Sequence, residues 1–533
     1  PPVSPSPCEK SIPLALLCFA LALAAPRPAA ATGFTDLGQD ISRHTEMGVA
    51  FGGYFRLRTE GLYNLDLDRG LTPSGQPLFP VPLSDPTSQW LSHADMRLRT
   101  DVAFFAPGGA LAVKLRVDVL DNLTLGSTPD GVPGFSNSQA PPRAAFRVKR
   151  AYGEAVTPVG LIVAGRTGNH WGLGMASNGG DCADCDSGDA ADRVAFVTPL
   201  AGHVFAVAYD FTAVGPLVTR PAGYRAIDVE PSADVRTLTL AALRWRDERA
   251  INRRRRAGKT TVDYGLSYAY RWQGKDVPST YLATTAPVPL TAGQVVPRDY
   301  TASSVDAWFR VIGPRFRVEA EGMVVLGRIE QTSLIPGVLM RDPVSARQIG
   351  AAVESEYGAP EDALGAGLDL GYASGDSAPG FGAFPAATGT CAKPGDLDGL
   401  QYCGARDTRI DNFRFHPDYH IDRILFREII GTVTDAIYFR PHARVRLARL
   451  GPGTLHAAAA AVVSFAAAAE STPGGQRPLG VEVDPTLYYH ARDGFNAALE
   501  YAVLFPLAGL DNPQAGLTAK PAQLVRLRLI YVY

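Results

Sequence analysis

Three regularities predict an all-β chain: a transmembrane antiparallel up-and-down β-barrel of about 18 strands, with long extracellular loops and short periplasmic turns. First, segments alternating apolar and polar residues with period two recur from about residue 48 to the end of the sequence, as strands with two unlike faces require. Second, the connectors between these segments are alternately long and short. Third, the terminal stretch LVRLRLIYVY (524–533) places Val525, Leu527, Leu529, Tyr531 and Tyr533 on one face and Arg526 and Arg528 on the other.

Taken in order, residues 9–31 read as a secretory signal: Lys10, an apolar core from Ile12 to Ala25, and Ala29-Ala30-Ala31 as a cleavage site. That core is about 14 residues, short of the roughly 20 that a spanning helix needs. The expected organisation is a cleaved signal over 1–31, a short N-terminal periplasmic segment over 32–47, and a barrel over 48–533. Removing the signal takes Lys10, Arg27 and Glu9 from the 51 basic and 53 acidic residues, leaving a net charge of −3. Such a balance gives no bias towards polyanions, and neither a phosphate cradle nor a basic-aromatic patch is present, so no nucleic-acid partner is expected. Beyond the signal no run of 18 apolar residues occurs; the nearest, around Ala457 to Ala469, is too short to span as a helix. An exported chain of this kind is either soluble or a barrel.

The first strands are the clearest. Phe51, Phe55 and Leu57 alternate with Tyr54, Arg56, Arg58 and Glu60; Met96, Leu98, Val102 and Phe104 alternate with Asp95, Arg97, Arg99 and Asp101. After Pro107-Gly108-Gly109, Leu111, Val113, Leu115, Val117 and Val119 interleave with Lys114, Arg116 and Asp118. Further strands are expected near 144–156, 160–166, 192–198, 202–211, 233–246, 260–273, 302–312, 315–330, 347–358, 363–373, 433–447, 454–467, 479–492, 495–506 and 522–533.

The long connectors are 64–92, 121–143, 167–191, 212–232, 274–301, 331–346, 374–432, 468–478 and 507–521. Those between are brief and rich in Gly and Pro, except for the basic stretch Asp247 to Lys259. Long loops at one end and short turns at the other are a barrel's pattern, for which a soluble sandwich offers no reason. A barrel also turns its apolar parity to lipid and its charged parity to the lumen, and only a closed sheet satisfies backbone groups in lipid.

Gly165-Arg166 leading into WGLGMASNGGDCADCDSGDAADR (171–193), and FRFHPDYHIDRILFREIIGTVTDAIYFRP (413–441), resemble segments of a deltaproteobacterial outer-membrane β-barrel family of uncharacterised cargo. The chain is also similar to the alginate-export-type barrels, which are monomeric 18-stranded porin-like channels. The resemblance implies the bacterial outer membrane, with its lipid bilayer, the barrel-assembly machinery (through the C-terminal strand) and small solutes as partners.

The charged parity is rich in arginine: Arg56, Arg58, Arg97, Arg99, Arg116, Arg166, Arg236, Arg244, Arg310, Arg317, Arg440, Arg444, Arg446, Arg526 and Arg528. Fixed cations along a pore lower the barrier for anions and bind carboxylates. The expected function is therefore a porin-like channel for passive passage of small hydrophilic solutes, anionic or saccharide ones among them. The bland reading of the same residues is cross-strand pairing with Glu60, Asp95, Asp101, Asp118, Glu319, Glu321, Glu354, Glu482 and Asp484. Four cysteines follow the signal, an even number that suggests two disulfides among Cys182, Cys185, Cys391 and Cys403. No cofactor is required, although Asp184, Asp186 and Asp189 in the 178–192 loop are candidate Ca²⁺ ligands beside a local disulfide. In the 374–432 loop, Asp418 is a candidate cap for a helix over 420–430 ended by Gly431, whose apolar stripe suits packing inside the barrel mouth or a surface lid. The competing classes are a structural or adhesive barrel with a plugged lumen, and a barrel hydrolase using His416, His420 or His442. No catalytic spacing supports the hydrolase, and a non-enzyme is expected.

Overall fold

The computed structural model describes residues 33–35, 37–38, 41, 46–82, 89–125, 146–212, 233–276, 291–333, 335–340, 342–383, 391–403 and 407–533. The expected signal at 1–31 lies outside the described residues, as does most of the loops at 121–143 and 212–232. The strands are β1 (Gly48–Tyr63), β2 (Trp90–Phe105), β3 (Leu111–Thr124), β4 (Phe146–Thr157), β5 (Gly160–Gly168), β6 (Ala190–Leu200), β7 (His203–Thr212), β8 (Val235–Arg244), β9 (Thr261–Gln273) and β10 (Tyr300–Ile312). They continue as β11 (Phe316–Ile329), β12 (Val344–Tyr357), β13 (Leu364–Ala373), β14 (Arg409–Ile410), β15 (Ala436–Leu450), β16 (Gly453–Phe465), β17 (Pro478–Ala491), β18 (Phe495–Pro506) and β19 (Ala522–Val532).

All but β14 form a closed antiparallel barrel of 18 strands. Each barrel strand pairs with its neighbour in sequence, and β13 pairs directly with β15, while the two-residue β14 runs parallel to β12. Closure is made by β19 against β1, with Arg58 opposite Arg528 and Glu60 opposite Arg526. The 16 residues of β1 and of β2 exceed the roughly 9–11 that cross a bilayer, so these strands project beyond any hydrocarbon layer.

The two faces differ as the period-two pattern requires. In β9, Val262, Tyr264, Leu266 and Tyr268 are exposed on the outside, while Asp263 is fully buried on the inside. Aromatic residues gather at both ends of the outer wall. Phe55, Tyr531 and Phe495 stand in a row at the short-turn end, and Tyr209, Phe211, Tyr270 and Trp272 form a cluster at the long-loop end. An apolar belt between two aromatic girdles is the surface of a sheet that faces hydrocarbon.

The basic stretch between β8 and β9 folds as helix α1 (Glu248–Arg256). Asp247 caps it by accepting from the Ala250 amide at 2.6 Å, and four arginines fill the last turn, where the carbonyl end of the helix dipole favours cations.

Two apolar clusters occupy part of the lumen. One lies in the long-loop half, where Phe413, Phe415, Ile421, Ile424, Leu425 and Phe426 of the 374–435 connection pack on inward residues such as Ala352, Ala373, Tyr438, Val462 and Leu504. The part of this connection around Phe413 to Val433 therefore folds inward. Gly350 of β12 makes this possible, because a Cβ there would collide with the ring of Phe413. Each fully buried side chain of this size contributes about 1.5–3 kcal/mol relative to exposure, so apolar burial dominates the docking. The second cluster joins Phe34 and Ile41 to inward residues of β2 to β8.

Candidate functional site: a charged lumen stapled by two inserts

The first insert is the connection between β5 and β6. Gly180 and Gly188 cross in contact, both with positive φ, and a Cβ on either would strike the other's backbone. Beyond the crossing, the Cys182–Cys185 disulfide closes a tight turn, whose carbonyls point at the inner wall. Arg56 of β1 donates to the Ala183 and Cys185 carbonyls at 3.2 and 3.3 Å, and Arg97 of β2 to those of Cys185 and Asp186 at 2.5 and 2.7 Å. Arg99 reaches the Gly180 carbonyl, and Arg150 of β4 the Gly179 carbonyl at 2.5 Å. On the opposite side, Glu321 of β11 accepts from the Leu173, Met175 and Ala176 amides.

The second insert spans 411–435. Glu482 of β17 accepts from the Arg423, Ile424 and Leu425 amides at 2.8, 2.8 and 3.0 Å. The helix expected over 420–430 is a single π-helical turn, Leu425–Ile429, and Gly431 leaves it with positive φ. Its amides at Phe426 and Arg427 are met by Asp422, not Asp418. Asp418 instead accepts from the Asp186 and Ser187 amides of the first insert. The physical reason is tertiary: wall carboxylates supply the acceptors that a longer helix would find within itself.

The inserts meet at a buried ionic junction. Arg427 pairs with Asp184 at 2.6 Å and Asp186 at 3.4 Å; Arg528 pairs with Asp184 at 2.7 Å; Arg56 and Arg58 pair with Asp186 at 2.9 and 3.0 Å. Burial alone would raise both aspartates, but Arg427 and Arg528 beside Asp184, and Arg58, Arg56 and Arg427 beside Asp186, hold both carboxyls below the usual range. His420 lies 3.8 Å from Asp184, yet burial and then Arg427 push its imidazole down to about 3. It is neutral at physiological pH.

Apart from Arg310, which pairs with Asp263 of β9 at 2.9 Å, the predicted arginines fall into three groups. Arg56, Arg58, Arg97, Arg99, Arg116, Arg526 and Arg528 hold the inserts or close the seam. Arg116 pairs with Asp101 and Asp181, and Arg526 with Glu60 at 2.5 Å. Arg317, Arg440 and Arg444 stand on the β11–β15 wall and keep 38, 28 and 19 % of their side chains accessible, against 0 % for Arg56 and Arg97. Arg446 lies on the same inward parity, donating to the Glu361 carbonyl at the short-turn rim. The third group corrects the sequence reading. Arg166 shares the outward parity of Ile162 and pairs with Asp192 at 2.7 Å, and Arg236 and Arg244 are also on outward positions of their strands. A short strand near its rim gives too few alternations to fix its facing.

The calcium candidates do not converge. Asp184 and Asp186 face guanidinium groups, Asp189 faces His416 at 3.4 Å, and no cluster suited to a metal ion occurs among the described residues. The local Cys182–Cys185 disulfide is present, and Cys391–Cys403 ties the longest loop. His416, His420 and His442 are each set against an aspartate, His442 against Asp369 at 3.3 Å. Arg427, Arg150 and Asp422 were not singled out in sequence, and Glu321 was read there only as a cross-strand partner for arginine. The first three lie outside the clearest alternating segments, and only three-dimensional proximity reveals Glu321 as the anchor of the first insert.

Above the junction a cleft of about 530 Å³ opens towards the long loops, lined by Arg58, Glu60, His93, Asp418, His420, Arg427 and Glu428. No protein-family model matches the chain, and no curated protein does. Among solved structures, the chain is similar to Pseudomonas aeruginosa OpdK with vanillate (10 % identity, TM-score 0.42, covering 91 % of this chain and 98 % of that one). It is also similar to a BenF-like porin from Pseudomonas fluorescens (11 %, 0.42, 90 % and 98 %) and to a loop-deletion mutant of Vibrio cholerae OmpT (9 %, 0.34, 91 % and 99 %).

Proposed function

We propose that the protein is a bacterial outer-membrane channel for passive passage of small hydrophilic solutes, narrowed by two lumen inserts. The observation that carries this reading is the closed sheet with an apolar outer face around a wall on which water-accessible charges remain. These charges are paired: Arg317 with Glu354 at 3.0 Å, Arg444 with Glu356 at 2.7 Å, and Arg440 with Asp369 at 2.6 Å. A wall of alternating donors and acceptors suits saccharides and other polyhydroxylated solutes, and its guanidinium groups offer anions a modest advantage. Export by a cleaved signal, assembly through β19 and membership of the deltaproteobacterial barrel family belong to the same proposal. Purified protein in planar bilayers, under a salt gradient and with candidate saccharides, tests it: stepwise conductance with weak anion preference is expected, and strict cation selectivity refutes the anion component. The apolar core around Phe413, Ile424 and Phe426 favours a second reading, a plugged structural barrel. Persistent absence of conductance selects it.

A further inference from the structure

The inner wall is chemically divided. From β6 to β8 its inward residues include a strip of small apolar ones (Ala195, Ala206, Ala208 and Ala241), all four buried, beside the inward ion pair of Arg193 and Asp210 at 2.8 Å. Water would meet this strip if nothing covered it, an unfavourable lining for an aqueous pore. The segment preceding β1 covers it. Phe34, Leu37 and Ile41 belong to the same apolar cluster, and four contacts fix the segment in place. The backbone at Gly38 lies on Leu161 of β5, so closely that a Cβ would sit 2.9 Å from its side chain. The Gly38 amide donates to Glu154 of β4 at 3.2 Å. The Phe34 ring lies under the Arg193 guanidinium of β6 at 5.6 Å, and Gly33 abuts the His170 carbonyl of the first insert. Across the lumen, the charged pairs of β11 to β15 keep their accessibility.

We infer that Phe34, Leu37 and Ile41 seal the alanine strip of the β6–β8 wall, so that the aqueous path is one-sided and solutes travel along the part of the β11–β15 wall that the second insert leaves accessible, against Arg317, Arg440, His442 and Arg444. On this reading Phe34, Leu37 and Ile41, from the segment expected as a short N-terminal periplasmic one, are a lining element of the pore. Two consequences follow from this chemistry. Solutes in transit meet guanidinium–carboxylate pairs, which reward ligands carrying both donors and acceptors. The width of the path is set by residues that precede the first strand.

This inference rests on the channel reading only for its conductance arm, and thiol labelling tests it separately. The four cysteines of the described chain are paired, and with Cys8 and Cys18 of the expected signal replaced by serine in every variant a single introduced cysteine reports alone. In the full-length protein, Arg444→Cys and His442→Cys should react readily with a charged methanethiosulfonate. Ala208→Cys should react about tenfold more slowly or less, because labelling there needs local opening. Ala206→Cys serves as the second position if Ala208→Cys does not assemble. Introducing Phe34→Asp with Ile41→Asp should collapse the difference. Equal labelling of Ala208→Cys and Arg444→Cys in the intact chain overturns the inference, as does an unreactive Arg444→Cys. Labelled Arg444→Cys should also conduct less; the expected labelling pattern with no conductance at all supports the divided lumen and refutes the channel.

Discussion

Replacing Arg427 by methionine should release the two inserts from one another. Its guanidinium is 8 % accessible and spans Asp184 and Asp186 at 2.6 and 3.4 Å. Removing one partner of a buried ion pair costs about 3–5 kcal/mol when the remaining charge is left uncompensated. Here compensation is partial: Asp184 keeps Arg528 at 2.7 Å, and Asp186 keeps Arg56 and Arg58. Methionine also preserves most of the packing volume. A cost of about 2 kcal/mol remains, which shifts the ratio of docked to released insert roughly 30-fold. Single-channel recording should show more frequent and longer openings in Arg427→Met, and trypsin should cut faster at Arg414 and Arg423. Adding Asp184→Asn should recover part of the loss by removing the stranded charge. Unchanged gating together with unchanged proteolysis in Arg427→Met would refute the view that this junction holds the inserts.

Three further outcomes are expected. His420 has its imidazole pushed to about 3 by burial and Arg427, from an ordinary 6.5, so the released insert binds the proton more readily than the docked one. The contribution of His420 to docking is then fully present above pH 6.5 and is lost as the pH falls towards 3, by about 2 kcal/mol at pH 5. Asp422 and Asp435, raised to about 7 chiefly by burial, act in the opposite sense, contributing stability at acid pH that is lost as the pH rises through 7. The clean readout is therefore the difference between wild type and His420→Gln, with the variant less weakened at pH 5; identical pH profiles would count against the buried neutral imidazole. Replacing Cys182 and Cys185 together by serine should loosen the first insert by about 2 kcal/mol, seen as faster hydrogen exchange over 179–187, and unchanged exchange would show that the arginine clamps suffice. Deleting 522–533 removes β19 and both its ladders, so heat-modifiable, membrane-inserted barrel should vanish on gels; a stably inserted truncation would contradict closure by this strand.

The period-two pattern carried the barrel. A strand such as β9, with aromatic and aliphatic residues on one parity and Asp263 on the other, states its two faces within 13 residues, because successive side chains must point to opposite sides of a sheet. The long and short connectors state which ends lie together, and the alternation of Leu524 to Tyr533 marks a strand fit to meet β1. Local chemistry of this kind needs no distant partner to be legible. The lumen was different. That Arg97 is sealed beneath the Cys182–Cys185 turn while Arg444 stays accessible follows from which loop lies against which wall, and both arginines look alike in sequence. Glu482 reads as one more lumen carboxylate until three amides from 58 residues or so earlier converge on it. Phe34, Leu37 and Ile41 follow no alternation, and their place is decided by an alanine strip on strands β6 to β8 that only closure brings together. The sequence by itself determined the barrel, its strand count, its facing in the long strands and its seam. Tertiary structure alone decided which charges staple inserts and which line a path, because ion pairing and burial depend on contacts between residues far apart in the chain, which no local period records.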